Sequence, residues 1–486
     1  MLGRRLGVVA LVAGALMAVT VPARSAQPPD VIGHAGRWMV DPSGRVVILH
    51  GVNVSSKALP AYPSALGFGS DDAAFLASEG FDAVRLTVER YAVEPSPGHF
   101  DDSYLTNLAA TVKTLAANGI YSLIDFHQDE YGPVFHDNGY PSWMTMTDEL
   151  PNVWQVGFPA QYVANPALER AFDHLWENSV GPDGRALQSD DAAILAHVAA
   201  ALRDLPEVLG YEILNEPWPG SAYPTCMGLG VGCPLFDEGP LSSYYQRMDT
   251  ALRGADSSHL IWYEPLVLFN YGIPTHVIPP KDPLLGFAFH DYGLCSGTPA
   301  YDEAAAVCGT EDSLVLSNAV SYSAQTGNAL LDTEFGATTD PAQITQQVSA
   351  FDQARIPWMW WSYAEIDPTG PDGTFDPPTS ANLNLPVLAS LARPYPQVVA
   401  GTPVAWKFDP TTKVFTFTYT TNRADGRGVF PPGAETQISV PPIQYPGGYS
   451  VKVTGATVTS PPGSSVLSVS SSASASTIEI EITPAS

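Results

Sequence analysis

The sequence is short of cations. Its 22 lysines and arginines face 50 aspartates and glutamates, a formal net charge of −28, so no basic surface is offered to nucleic acid or to an anionic lipid leaflet. Neutral glycans and neutral glycolipid head groups stay open as partners. Cysteine is also scarce, with four in 486 residues. Neither Cys226 with Cys233 nor Cys295 with Cys308 is spaced like a zinc site, and His127, His136 and His290 form no compact ligand run, so no metal is expected. The apolar run behind Arg4 and Arg5 is short for the ~20 residues of a bilayer crossing. It ends in small residues, the layout of a secretory signal peptide over residues 1–26, cleaved between Ala23 and Ala26. The mature chain is then expected outside the cell, more acidic still for the loss of Arg4, Arg5 and Arg24. There, two local disulfides, Cys226–Cys233 and Cys295–Cys308, are expected.

What the sequence does have is a globular composition, 45% hydrophobic and 10% aromatic, and more length than one core fills, since single cores stop growing near ~250–300 residues. Up to residue 395, short apolar runs alternate with amphipathic stretches such as 103–118 and 191–203. The runs are 46–54, 81–88, 121–129, 209–217, 259–265, 285–292, 330–336 and 357–363. Eight strand-then-helix repeats predict an α/β fold, a closed (β/α)8 barrel over 27–395. After 395 the composition turns to Thr, Ser, Val, Pro and Gly. Alternating runs at 413–420, 449–453 and 477–483 predict a small C-terminal β-sandwich over 396–486.

A barrel enzyme carries its chemistry on the carboxyl ends of its strands. Six of the runs begin apolar and end polar: Asn53, Arg85, His127 with Asp129, Asn215 with Glu216, His290 with Tyr292, and Glu334. Two carboxylates, Glu216 and Glu334, therefore converge, the pair that glycoside hydrolysis needs. Arg85 is placed to keep Glu334 ionised, with His290 and Tyr292 orienting it, which makes Glu334 the nucleophile. Glu216 lacks an obvious cation and suits the acid/base role of a retaining enzyme. Strand alternation sends Trp358 and Trp360 to one barrel face and Trp361 to the other, so only Trp361 is a sugar platform. The sequon Asn53-Val54-Ser55 lies at the barrel mouth, a poor place for an attached glycan.

Asn215-Glu216-Pro217 and Glu334-Phe335-Gly336 resemble glycoside hydrolase family five, whose Arg, His, Asn-Glu, His-x-Tyr, Glu and Trp correspond to Arg85, His127, Asn215 with Glu216, His290 with Tyr292, Glu334 and Trp361. Within that family, Gly51-Val52-Asn53-Val54-Ser55-Ser56-Lys57, Asp125-Phe126-His127-Gln128-Asp129, Ala171-Phe172-Asp173-His174-Leu175-Trp176 and Glu238-Gly239-Pro240-Leu241 are similar to the endoglycoceramidases. The resemblance implies cleavage between the glycan and the ceramide of a glycosphingolipid, without a cofactor, by a monomer touching a membrane or micelle surface transiently. It also implies that Lys57, Asp129 and Trp176 contact the first sugar and that Asn215 meets its 2-hydroxyl. The loops after Asp129 and around Cys226 depart from the family, and the choice between ganglioside-type and galactosyl-type glycans stays open. Trp143, Met144, Met146, Trp154, Phe158, Leu268, Phe269 and Tyr271 are candidates for an apolar ceramide surface. Two other functions fit the same residues: an endo-β-1,4-glucanase or mannanase on soluble polysaccharide, and a non-catalytic glycan-binding surface protein.

Overall fold

A computed structural model describes residues 31–153, 156–228, 230–293, 305–367 and 375–485, without the side chains of 305–311. The leader expected at 1–26, Trp154 and the Cys295–Cys308 pairing lie outside the described residues. Among those residues, no helix is long and apolar enough to cross a membrane.

Eight strands close into a barrel: β1 (His50–Val54), β2 (Ala83–Val88), β3 (Tyr121–Phe126), β4 (Val208–Glu212), β5 (Leu260–Tyr263), β6 (Leu285–Asp291), β7 (Ala329–Gly336) and β8 (Trp358–Trp361). Every neighbouring pair is parallel, and β7 and β8 lead back to β1. Such strands are buried on both faces, which is why they read as near-continuous apolar runs. The connecting helices include α1 (Ser70–Ser78), α2 (Asp102–Ala116), α3 (Pro166–Trp176), α4 (Leu187–Leu202), α5 (Ser242–Ala255), α6 (Ala305–Thr326) and α7 (Pro341–Ala354). Their starts are written locally: the Asp101 carboxylate caps α2 by accepting the Ser103 and Tyr104 N–H groups, and Asp340 caps α7 just before Pro341.

Inside the barrel the base is apolar, with Leu49, Ala83, Leu123 and Met359 packed round Trp262. That indole lies across the base because position 286 has no side chain; a Cβ on Gly286 would stand 2.1 Å from the ring. Two residues further along several strands the same inward face comes round again with polar side chains, as at Asp125 after Leu123, Glu264 after Trp262 and His290 after Ala288. Ala83 below and Arg85 above are one such step.

The predicted first strand splits in two. Val46–Val47 pairs antiparallel with Val398 and Val399, whereas His50 starts the parallel pairing with Trp358. The described residues therefore begin in the second unit. Gly33–Ala35, Trp38–Val40 and Val46–Val47 join a seven-stranded sheet with Tyr395–Val399, Glu435–Ser439, Ala456–Val458 and Val466–Ser471. A four-stranded antiparallel sheet of Thr402–Asp409, Val414–Thr420, Tyr449–Thr454 and Thr477–Pro484 completes the sandwich. Alternate residues such as Phe415, Phe417, Ile480 and Ile482 turn inward onto Ile438 and Leu467. The two units are joined by buried polar contacts: Trp406 Nε1 donates to Asp352 on α7 at 2.7 Å, and the Gln444 amide donates to the Ala389 and Ala392 carbonyls.

Candidate active site

Arg85 is fully buried on β2 and its guanidinium organises the barrel mouth. Nε donates to Glu212 at 2.6 Å, Nη1 to Asn53 at 3.2 Å and to Glu334, and Nη2 to Asn215 at 2.8 Å. Nη2 also stands 3.1 Å from Asp125 and 3.5 Å from Glu264. Burial opposes its charge, but Asp125, Glu212, Glu334 and Glu264 hold it firmly ionised. Five donors in a rigid fork can serve so many acceptors; an ammonium cannot.

Glu334 reaches this hub through a β-bulge. Asp332 pairs with Phe289 and Glu334 with His290, so Thr333 is an extra residue on β7. The local re-aiming lets consecutive residues serve the interior: Thr333 Oγ1 donates to Glu212 at 2.9 Å, and Glu334 meets Arg85. The second Glu334 oxygen accepts from Tyr292 at 2.8 Å. Burial alone would raise this carboxyl, but His290 and Arg85 hold it below its ordinary range.

Glu216 follows β4 with φ of +43°, a left-handed backbone rare outside glycine. Its N–H donates to Glu264 at 3.0 Å, which holds that turn. Its Oε1 accepts two donors, Asn270 Nδ2 at 2.7 Å and His290 Nδ1 at 2.8 Å. His290 is thus bonded to Glu216 and lies 3.8 Å from Glu334, so the expectation that it orients Glu334 is corrected. The physical reason is that the two Glu334 oxygens are already taken by Arg85 and Tyr292, which leaves His290 Nδ1 to Glu216. Burial lowers the His290 imidazole, but Glu334 and Glu216 raise it above its ordinary value; the sequence did not place this group beside Glu216.

A second group forms the adjoining wall. His127 donates to Asp125 at 2.6 Å and to Asp129 at 3.2 Å, and stacks on Trp361 with ring centres 5.6 Å apart. Burial works against its charge, but Asp125 pushes it up to about 10. Lys57 donates to Asp129 and stands over the Trp361 ring. Burial of Asp129 is outweighed by Lys57 and His127, which hold its carboxyl well below the usual range.

Trp176, Asn215 and Asn53 each have partners within the protein. Trp176 packs edge-on against Phe236 and Tyr244 and donates its N–H to the Trp218 carbonyl, so no donor remains for a sugar. Asn215 accepts from Arg85 and donates to the Gln128 carbonyl. Asn53 is buried with its amide on the Thr333 carbonyl, and the sequon is not presented. Trp358 and Trp360 are buried, whereas Trp361 is partly open, as alternation required. Of the apolar candidates, Met144, Leu268 and Phe269 are core, while Phe158 is 56% exposed. Cys226 and Cys233 are joined.

Glu212, Glu264 and Asn270 were not singled out from sequence. Glu212 and Glu264 carry the same signal as Glu334, a carboxylate at the end of an apolar run; Asn270 carries none. Burial and the neighbouring Glu212 charge push the Glu264 carboxyl above its ordinary range, against the opposing pull of Arg85. Three trios of these carboxylates and histidines bring ligand atoms within 4.8 Å of one another. Each contains groups already engaged by Arg85 or by a carboxylate–histidine hydrogen bond, which accounts for the clustering by charge and proton sharing.

The sequence matches the family description "Cellulase (glycosyl hydrolase family 5)" over residues 40–366 and "Glycoside hydrolase family 5 C-terminal domain" over 393–483. It is 31% identical over 456 residues to an endoglycoceramidase I of Rhodococcus hoagii, covering 91% of this chain and 86% of the relative. An endoglycoceramidase of Hydra vulgaris is 26% identical over 79% of this chain and 76% of its own. Among solved structures, endo-glycoceramidase II from Rhodococcus sp. superposes with a TM-score of 0.75 at 27% identity, covering 92% of this chain and all of the other. The same enzyme has been seen as a lactosyl-enzyme intermediate, at TM-score 0.74 and 26% identity, and as a ganglioside GM3 complex. With its barrel, its paired carboxylates and both family matches, this chain belongs to glycoside hydrolase family 5 and shares the two-unit plan of the endoglycoceramidases.

Proposed function

We propose that this protein is a secreted, retaining endo-β-glycosidase that hydrolyses the glycan–ceramide linkage of glycosphingolipids, releasing intact oligosaccharide and ceramide. The observation that carries the mechanism is the spacing of the two carboxylates. A Glu216 oxygen and a Glu334 oxygen lie within 4.8 Å of each other. Retaining enzymes hold the pair ~5–5.5 Å apart, and inverting ones leave ~6.5–9.5 Å for a water.

Glu334, kept ionised by His290 and Arg85, attacks the anomeric carbon while Glu216 gives its proton to the departing ceramide oxygen. The C–O bond to ceramide breaks as the bond to Glu334 forms. Water then attacks the same carbon, Glu216 takes its proton, and Glu334 leaves as carboxylate. Trp361, Lys57 and Asp129 form the wall on which the first sugar rests. The substrate is supported by relatives whose names and ligands are glycosphingolipid-directed. Export is supported by the signal-peptide layout of residues 1–26.

Product analysis tests both. Wild type and Glu334→Gln are incubated with a neutral and a sialylated glycosphingolipid in detergent. Intact oligosaccharide with ceramide from wild type alone supports the reading, and the preferred head group fixes the subclass. Release of sugars only from soluble β-glucan or mannan would replace it with a polysaccharide hydrolase.

A further inference from the structure

Asn270 lies on the single turn Val267–Tyr271 that follows β5, where only 4% of the residue is exposed. The turn is fixed from three sides. The Val267 N–H donates to the Pro217 carbonyl, the Gly293 N–H donates to the Asn270 carbonyl, and Phe269 packs on Phe287 and Phe289 of β6. The first two contacts tie the turn to the segments carrying Glu216 and Tyr292. The Asn270 amide is therefore held in place before substrate arrives.

Its Nδ2 is 2.7 Å from Glu216 Oε1, and His290 Nδ1 is 2.8 Å from the same atom. The amide nitrogen is an N–H donor, and so is the ring nitrogen in the Nδ1–H tautomer or the imidazolium that a carboxylate at this distance favours. A carboxyl oxygen that accepts two such bonds has its lone pairs occupied, so a proton on this carboxyl sits on the other oxygen. We infer that Asn270 is a positioning residue for general-acid catalysis: together with His290 it fills Glu216 Oε1 and confines the transferable proton to Oε2. Glu264 backs the arrangement: it accepts the Glu216 N–H at 3.0 Å, which fixes the turn that carries the acid, and lies 3.6 Å from His290 Nε2.

The inference rests on Glu216 as the acid, and its consequence is specific to the step that needs a proton. An alkoxide such as ceramide leaves poorly without one, whereas a dinitrophenolate leaves unaided. The test compares wild type, Asn270→Ala and the isosteric Asn270→Asp on three substrates: a glycosphingolipid, an alkyl β-lactoside and a dinitrophenyl β-lactoside. For both variants, kcat/KM on the glycosphingolipid and the alkyl glycoside is expected to fall about 10²-fold, the lower range of general-acid contributions. On the dinitrophenyl glycoside it stays within about threefold. A loss shared equally by all substrates, or no loss on any, would overturn the inference, because a merely structural role moves every substrate together. Wild type that cleaves the alkyl lactoside but not the glycosphingolipid would sink the endoglycoceramidase reading alone; the ratio between alkyl and dinitrophenyl lactosides would still decide the role of Asn270.

Discussion

The Lys57 ammonium stands 4.7 Å from the centre of the Trp361 indole. One residue follows the first barrel strand and the other ends the last, so the contact closes the mouth of the barrel where its two sequence ends meet. Lys57 also bonds to Asp129, and His127 stacks on the same indole, so the ring is held from both neighbours. A preorganised aromatic wall contributes to sugar binding throughout the reaction rather than at the transition state alone. Trp361→Ala is therefore expected to raise KM by about tenfold or more with kcat changed less. Steady-state kinetics on one glycolipid checks it, and an equal fall in kcat with unchanged KM would reject the wall.

Arg85 makes a different prediction. Its charge is needed by Glu334, Glu212 and Asp125 at once, and its fork geometry is used at three nitrogens. Arg85→Lys keeps a charge but cannot reach all partners. We expect kcat to fall at least about 10²-fold, and stability to fall by ~3–5 kcal/mol, the cost of leaving buried carboxylates uncompensated. Urea unfolding and kinetics on the purified variant measure the two effects separately. Near-normal stability would mean that water replaces the guanidinium in the hub.

The eight strands could be read from the sequence because parallel barrel strands are buried on both sides and so appear as uninterrupted apolar runs. Glu334 stood out for the same reason: a carboxylate in such a run needs a partner. Glu212 and Glu264 met that criterion equally, and only the fold shows why the interior accepts them, since Arg85 is too distant in sequence to be assigned to all. Asn270 was invisible, because a polar residue in a loop is ordinary until its turn is placed against Glu216. The early strands of the sandwich were hidden by continuity. Val46–Val47 and His50–Val54 form one apolar stretch, and the change of partner between them is a tertiary choice with no local mark.

The Cys226–Cys233 disulfide closes a short loop that packs beside Leu266, Phe269 and Ile273, the surroundings of the Asn270 turn. For a separation of 7 residues the chain-entropy argument gives about 2–3 kcal/mol of stabilisation. Replacing both cysteines by serine is expected to lower the melting temperature, and to lower activity on glycosphingolipid more than on a dinitrophenyl glycoside, since the disturbance reaches Glu216 through Asn270. Thermal melts with and without reductant, alongside the two-substrate ratio, report on both. Unchanged ratio with lower melting temperature would confine the disulfide to stability.

Asp352 links the two units and gives stability a pH dependence. Its Oδ1 accepts the Trp406 N–H at 2.7 Å, and burial pushes its pKa up to about 7 against the opposing pull of Arg393 and Trp406. In the unfolded chain it titrates near ~3.9. Between these values the folded protein holds a proton that the unfolded chain has released, so stability falls as pH rises from about 4 to about 7 and changes no further above that. Asp352→Asn keeps the acceptor for Trp406 and is neutral at every pH. The variant should therefore match wild type near pH ~4 and become the more stable of the two as pH approaches ~8, by a few kcal/mol at most. Melting curves of both proteins across that range measure the difference directly, which cancels the other titrating groups they share. A variant less stable than wild type at pH ~8 would show that the ionised carboxylate is favoured at this interface, with Arg393 outweighing the cost of burial.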